Sequence, residues 1–246
     1  MKEARFFYVP DADTATELPA AEAMHALRVL RLRSGDELFL MDGKGNFHRA
    51  VVTTAATRHC MYEIKETMPQ TKAWKGNIHL AVAPTKNTER IEWLAEKATE
   101  IGIDELTMLN CSLSERKIMR TARIEKIITA AMKQSRKPWR PIVNGMTNFK
   151  TFITQERGGL KFIAHCHDNI ERSDLFNYLR EHADGNASGD VTIMIGPEGD
   201  FTTDEVRLAK ANHYVSVSLS DSRLRTETAA LYATAIAHLA DKERRL

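Results

Sequence analysis

The chain has 246 residues, 43% hydrophobic and 28% charged, and its 35 Lys and Arg against 33 Asp and Glu leave a formal net charge of +2. That composition describes an ordinary soluble globular chain with room for one large domain or two smaller ones. No apolar run approaches the roughly 18 residues that a membrane span requires, and residues 1–7 lack a signal-peptide core, so no membrane partner and a cytoplasmic location are expected. Cys60, Cys111 and Cys166 are widely separated and form no Cys-x-x-Cys pair, which argues against a disulfide framework or a thiolate zinc site and marks them as buried or neutral bystanders.

The first 70 residues carry short alternating or aromatic runs separated by turn residues. Strands are predicted over Arg5–Val9, Glu37–Met41, Phe47–Thr54 and Cys60–Glu66, with a short helix over Met24–Leu30. The Asp42-Gly43-Lys44-Gly45-Asn46 turn between two apolar runs is a hairpin signal, and the region reads as a small β-barrel. Met68–Gly76, with Pro69 and no periodicity, is the expected linker.

From Asn77 the pattern changes to alternating strands and helices. Ile78–Ala83 reads as a strand, and Asn87 can cap a helix in which Ile91, Leu94, Ala95 and Ala98 share a face before Gly102 ends it. Strands follow at Glu105–Leu109, Leu160–Ala164, Val191–Ile195 and Val215–Leu219, with a helix over Ala122–Ser135. This alternation implies a parallel sheet with ligands at the carboxyl ends of its strands; by pattern alone it suggests a doubly wound fold.

Two loops late in the chain look like halves of one ligand site. Ile195-Gly196-Pro197-Glu198-Gly199-Asp200-Phe201 joins a buried strand to a helix start at Thr202, whose spacing to Glu205 is that of a capping box. Its glycines allow close approach of backbone to ligand, and Pro197 stiffens the turn. The second loop, Leu224-Arg225-Thr226-Glu227-Thr228, follows the strand at Val215–Leu219, and Thr226 is the expected N-cap of a helix over Ala229–Leu239. There is no Gly-x-Gly-x-x-Gly after the strand ending at Ala83 and no Gly-x-x-x-x-Gly-Lys-Ser/Thr, which removes the commoner nucleotide sites.

These loops, together with His25–Leu32 followed by Gly35-Asp36, the run Lys86–Gly102 and Lys133-Gln134-Ser135-Arg136, resemble the ribosomal RNA small subunit methyltransferase E family, uridine N3-methyltransferases of the SPOUT class. The matches run in order along most of the chain. Asp200, where a further glycine is expected, and Ser220-Asp221-Ser222, where the loop usually begins with glycine, are departures from the pattern.

The resemblance implies an α/β fold with a C-terminal SPOUT trefoil-knot methyltransferase domain at 75–246 and an N-terminal PUA-like β-barrel domain at 1–70. It also implies a homodimer and an assembled small ribosomal subunit, through its 16S rRNA, as partner. Carried over by position, S-adenosyl-L-methionine would be bound by Ile195, Gly196, Pro197, Glu198, Gly199, Ser218, Leu219, Leu224, Arg225, Thr226 and Ala229.

Methylating uracil N3 requires removal of an imide proton flanked by two carbonyls. Arg225 is the candidate for stabilising the developing anion and Glu198 for accepting the proton. The bland readings are an ion pair of Arg225 with Glu227 or Glu198, and a turn carboxylate that accepts backbone amides. From Arg116 to Arg140 nine Lys or Arg face one acid, Glu125. With Arg28, Arg31 and Arg33, the residues Arg116, Lys117, Arg136 and Lys137 are the candidate RNA contacts, the alternative being a solvated helix face. His165 and His167 lack placed companions for a metal, so no metal is expected. The Ala229, Ala230, Ala233 and Ala237 stripe is expected to pack within the domain or against a second subunit. The rival functions are a SPOUT enzyme for another RNA position and a non-catalytic RNA-binding module.

Overall fold

The computed structural model describes residues 5–182 and 187–245; residues 1–4, read above for a leader core, lie outside it. The chain groups into two compact units. One runs to Lys72 and takes in Thr129–Arg140; the other comprises Ala73–Ile128 and the chain from Pro141 onward.

In the first unit, β1 (Phe6–Tyr8), β2 (Glu37–Met41), β3 (Asn46–Ala55) and β4 (Cys60–Pro69) form a sheet in that order, with β1 parallel to β2 and the rest antiparallel. Period-2 alternation sends Leu38, Leu40, Ala50 and Val52 inward onto Phe7, Leu18 and Tyr62. Irregular register at Arg49/Ala50 and Val52/Thr54 bends the long β3–β4 pair. The stretch leaving β1 then returns to the outer edge of β4. There the Leu18 N–H donates to Cys60 O and the Tyr62 N–H to Thr16 O, both at 2.9 Å. One short stretch of chain thus occupies both edges of the sheet and curls it toward a barrel.

The expected helix near residue 24 starts earlier, as α1 (Ala20–Met24), and continues as a π-helical turn over His25–Val29. At the predicted hairpin turn Asp42 accepts the N–H groups of Lys44 (2.7 Å) and Asn46 (3.0 Å). Trp139 lies against this turn, where a Cβ on Gly45 would sit 2.7 Å from its indole nitrogen.

The second unit is built on β5 (Ile78–Val82), α2 (Thr88–Ile101), β6 (Glu105–Asn110), α3 (Thr121–Ser135), whose last residues belong to the first unit, β7 (Ile142–Asn148) and α4 (Phe149–Ile153). It continues with β8 (Leu160–Ala164), β9 (Ser173–Asp174), α5 (Leu175–Glu181), β10 (Val191–Ile195), α6 (Thr203–Ala211), β11 (Val215–Ser218) and α7 (Thr226–Arg244). Seven strands lie in the order β7-β6-β5-β10-β8-β11-β9, and every pairing between them is parallel. Alternate strand residues face opposite cores. Ile78, Leu80 and Val82 meet α2, α5 and α7 through Ile91, Leu94, Leu175 and Ala233, whereas Ala81 meets α4 and α6 through Phe152 and Val206.

Asn87 caps α2 by accepting the Glu89 N–H at 3.0 Å, and Gly102, at φ 130, ends it. The capping box of Thr202 and Glu205 forms at the start of α6. Four elements were not predicted. β7 carries Asn144-Gly145 at its centre and is half exposed at the sheet edge, so its sequence reads as a turn; β9, α4 and α5 have 2, 5 and 7 residues, too short for a periodic signal. No helix among the described residues is long and apolar enough to cross a membrane.

Candidate active site

β10 is central because it pairs on one side with β5 and on the other with β8, and the loops leaving β8, β10 and β11 meet above their carboxyl ends. A cavity of about 360 Å³ opens there, within the usual range for small-molecule sites. It is lined by Ile195, Gly196, Pro197 and Glu198 from the first loop, and by Ser218, Leu219, Leu224, Arg225, Thr226 and Ala229 from the second. Gly199 lies instead beside Leu113, at 3.2 Å from that residue's Cβ to the position its own Cβ would take.

The two loops are tied together by side chains. Thr226 is the first residue of α7 and not its cap, a place taken by Arg225; the Thr226 hydroxyl donates to Gly196 O at 3.1 Å. Asp200 adopts φ 65, the left-handed conformation a glycine would supply. It is accommodated because its carboxylate accepts the N–H groups of Cys166 and of Phe201, both at 2.8 Å. The bond from Cys166 joins the loop after β8 to the loop after β10. In the second loop, Ser220 Oγ accepts the Ser222 N–H at 3.0 Å where the family pattern has glycine.

Glu198 is exposed, and its Oε1 accepts the Lys86 N–H at 2.9 Å, so one oxygen holds the loop after β5. Arg225 is exposed and its guanidinium has no hydrogen-bond or ion-pair partner among the described residues. Neither expected ion pair forms: the Glu227 carboxylate instead lies 3.7 Å from Arg90 Nε.

Ten further residues line the cavity, among them Arg90, His165, Cys166, Arg172, Asp200 and Arg223. Cys166 is exposed, not a buried bystander like Cys60 and Cys111. Burial pushes the His165 imidazole down to about 4, against an opposing pull from Asp200. Its Nδ1 accepts the His167 N–H at 3.2 Å, and His167 Nε2 donates to Phe201 O at 2.6 Å. These histidines therefore serve the loop backbone; no group of three or more metal-ligating side chains occurs among the described residues. Arg90 falls within the run Lys86–Gly102 but is not marked there as a site residue, being one basic residue on an amphipathic helix.

The candidate RNA contacts fall into two kinds. Arg28, Arg31 and Arg33 are exposed, with Arg31 at φ 54 just beyond the π-helical turn. Arg136 is also exposed, with its guanidinium 5.4 Å above the Phe6 ring, and burial lowers the Lys137 pKa. Arg116 and Lys117 instead face the backbone: Arg116 donates to Thr85 O (3.1 Å) and Lys86 O (2.5 Å), and Lys117 donates to Cys111 O (3.2 Å). Of the alanine stripe, Ala230, Ala233 and Ala237 are buried within the second unit, while Tyr232 and Leu239 remain exposed on α7.

A parallel sheet with a ligand cavity at its strand-end loops is the arrangement of an α/β small-molecule-binding protein, and comparison with known proteins narrows the class to the RNA methyltransferases. Residues 72–238 match the RNA methyltransferase domain family, and residues 18–60 match the RNA methyltransferase PUA domain. The ribosomal RNA small subunit methyltransferase E of Synechocystis is 28% identical over 91% of this chain and 72% of its own length. A crystal structure of a probable rRNA-methyltransferase from Porphyromonas gingivalis superposes with a TM-score of 0.88 at 37% identity, over 98% of this chain and all of that one. A ribosomal RNA small subunit methyltransferase E from Neisseria gonorrhoeae bound to S-adenosyl methionine gives 0.78 at 25% identity, over 95% and 96% of the two chains. The chain belongs to the ribosomal RNA small subunit methyltransferase E family.

Proposed function

We propose that the protein transfers a methyl group from S-adenosyl-L-methionine to N3 of one uridine of 16S rRNA, in the assembled small subunit. The observation that carries this reading is the Thr226–Gly196 hydrogen bond, which joins the two late loops around one cavity. The residues present fit the cofactor: Leu219, Leu224 and Ile195 offer apolar cover for an adenine, while the Gly196–Pro197 and Ser218–Leu219 backbones offer donors and acceptors for its edge. The methionyl sulfonium brings a methyl group already activated for transfer.

What remains for the chain is to orient the acceptor nitrogen and handle its proton. Arg225 presents an unengaged guanidinium to the carbonyls beside N3 and stabilises the imide anion. Glu198 accepts the proton, on a carboxylate held in place by Lys86 N–H. Arg28, Arg31, Arg33, Arg136 and Lys137 supply phosphate contacts, and Arg116 and Lys117 hold loops of the second unit through the carbonyls of Thr85, Lys86 and Cys111.

The domains are taken as a PUA-like RNA-binding domain at 1–70 and a methyltransferase domain at 75–246, the latter knotted as its family class implies. A cytoplasmic homodimer completes the reading. Its support is the apolar surface left by Tyr232 (47% exposed) and Leu239 (58%) on α7 and Trp93 (43%) on α2.

The test is to incubate the protein and methyl-labelled S-adenosylmethionine with small subunits from a strain lacking the gene, then map the label by nuclease digestion and mass spectrometry. Label on one uridine as N3-methyl is the expected result. Cofactor binding without transfer to subunits or free RNA rejects the ribosomal substrate, and no cofactor binding favours a silent RNA-binding module.

A further inference from the structure

Arg90 and Glu227 form a pair that the proposed chemistry above does not use. Arg90 sits in the first turns of α2 and lines the cavity; Glu227 sits in the first turn of α7, and its side chain is 10% exposed. The two helices pack on each other, so the pair spans a fixed junction. The contact is incomplete on both sides. Glu227 Oε1 faces only the Nε edge of the guanidinium, at 3.7 Å, and its Oε2 is buried with no hydrogen-bond donor among the described residues. The fork of Arg90 made by its two terminal nitrogens has no partner among the described residues.

A buried carboxylate left with a free oxygen is costly unless it serves to hold something. Here it holds an arginine by its inner edge and leaves the planar outer edge open. That edge matches a carboxylate or a phosphate with two parallel N–H bonds. The Arg90 side chain is only 36% exposed and stands in the wall of a cavity sized for a small molecule, not on an open surface where a polynucleotide backbone would run.

We propose that Arg90 binds the α-carboxylate of the cofactor's amino-acid tail, and that Glu227 is the positioning residue that presents it. The inference rests on the cofactor reading given above. It assigns the polar end of the ligand to the α2–α7 junction and leaves Leu219 and Leu224 to the adenine.

The test measures binding of S-adenosylmethionine and of 5′-methylthioadenosine, which lacks the amino-acid tail, by calorimetry on the full chain. For Arg90→Ala the expected result is a loss of about tenfold or more in affinity for S-adenosylmethionine, from a lost charge-assisted bidentate contact. Affinity for 5′-methylthioadenosine stays within about twofold of the native protein by the same reasoning, which also shows that the cavity remains folded. Arg90→Lys restores part of the loss, and Glu227→Gln shows the same ligand selectivity with a smaller effect. Equal losses for both ligands overturn the proposal in favour of a structural role. Unchanged affinity for S-adenosylmethionine with weaker RNA binding overturns it in favour of a phosphate contact. If the native protein binds neither small molecule, the cofactor reading itself fails.

Discussion

The Thr226 hydroxyl donates to the Gly196 carbonyl at 3.1 Å, and both residues are buried. A backbone acceptor at the end of β10 is thus satisfied by the first residue of α7, and the entry to the last helix is fixed against the glycine turn. Thr226→Val keeps the shape and removes the donor, leaving the Gly196 oxygen unpaired. We expect a loss of about 1–3 kcal/mol in stability, read by urea denaturation. Cofactor affinity should fall with it. Unchanged stability would show that the loops are held by packing alone.

Glu198 and Arg225 separate by kinetics. Glu198→Gln retains an oxygen for Lys86 N–H but cannot accept a proton, so kcat should fall by about 100-fold or more while cofactor affinity is kept. Full kcat in that variant assigns Glu198 to holding the loop. Arg225→Met should lower kcat by about 100- to 1000-fold, the scale of losing a donor to a developing anion. A rise in KM with unchanged kcat would make Arg225 a binding residue only.

RNA affinity should depend on salt through the exposed arginines. Replacing Arg28, Arg31 and Arg33 by Ala should reduce the slope of log K against log salt by up to about 0.7–0.9 per residue that meets a phosphate. Arg116→Ala should leave that slope nearly unchanged, because its guanidinium is engaged with Thr85 O and Lys86 O. Its effect belongs on catalysis, through the loop that holds Glu198. A large salt effect for Arg116 and none for the three N-terminal arginines would reverse the assignment.

Acid should weaken the second unit. His79 is buried, its Nε2–H donating to Thr107 Oγ1 at 2.8 Å while Nδ1 accepts from Arg157 at 2.7 Å. Burial, reinforced by Arg157, pushes its pKa from 6.5 down to about 3. The folded value lies below the unfolded one, so the unfolded chain binds the extra proton. The histidine's stabilising contribution is full above pH about 6.5 and is lost progressively as pH falls toward the folded value, by up to about 1.4 kcal/mol per pH unit. Urea midpoints between pH 7 and 4.5 should fall, and His79→Gln should flatten the dependence; an unaltered slope in that variant places the sensitivity elsewhere.

Much of the second unit was legible because its signals are local. The largely apolar Val191–Ile195 is buried on both faces, the i, i+3, i+4, i+7 set of α2 is fully buried, and the Thr202–Glu205 box forms as spaced. What was not legible depends on tertiary contact. The Asn-Gly of β7 reads as a turn until β6 pairs with it. Thr226 has the composition of a cap but gives its hydroxyl to Gly196, and Arg116 has the charge of a nucleic-acid contact but faces two carbonyls. Arg90 becomes notable only once Glu227 is seen beside it. The residues from the glycine turn and the Leu-Arg-Thr-Glu-Thr run, in contrast, were recognised together because backbone approach and strand-end position are written in their sequence.

The placement of β10 carries a consequence for how the protein is made. Its two neighbours, β5 and β8, are both synthesised before it, and residues 191–195 must enter the gap between them as the innermost strand. Until the ribosome has released that segment, two apolar parallel edges stand without a partner, a state open to aggregation. At about 5–20 residues per second, the interval between emergence of β5 and of β10 lasts roughly 6 to 23 seconds. A polypeptide cut short before residue 191 would lack the middle of its sheet, and chaperone protection during synthesis would matter more for this chain than its modest size suggests.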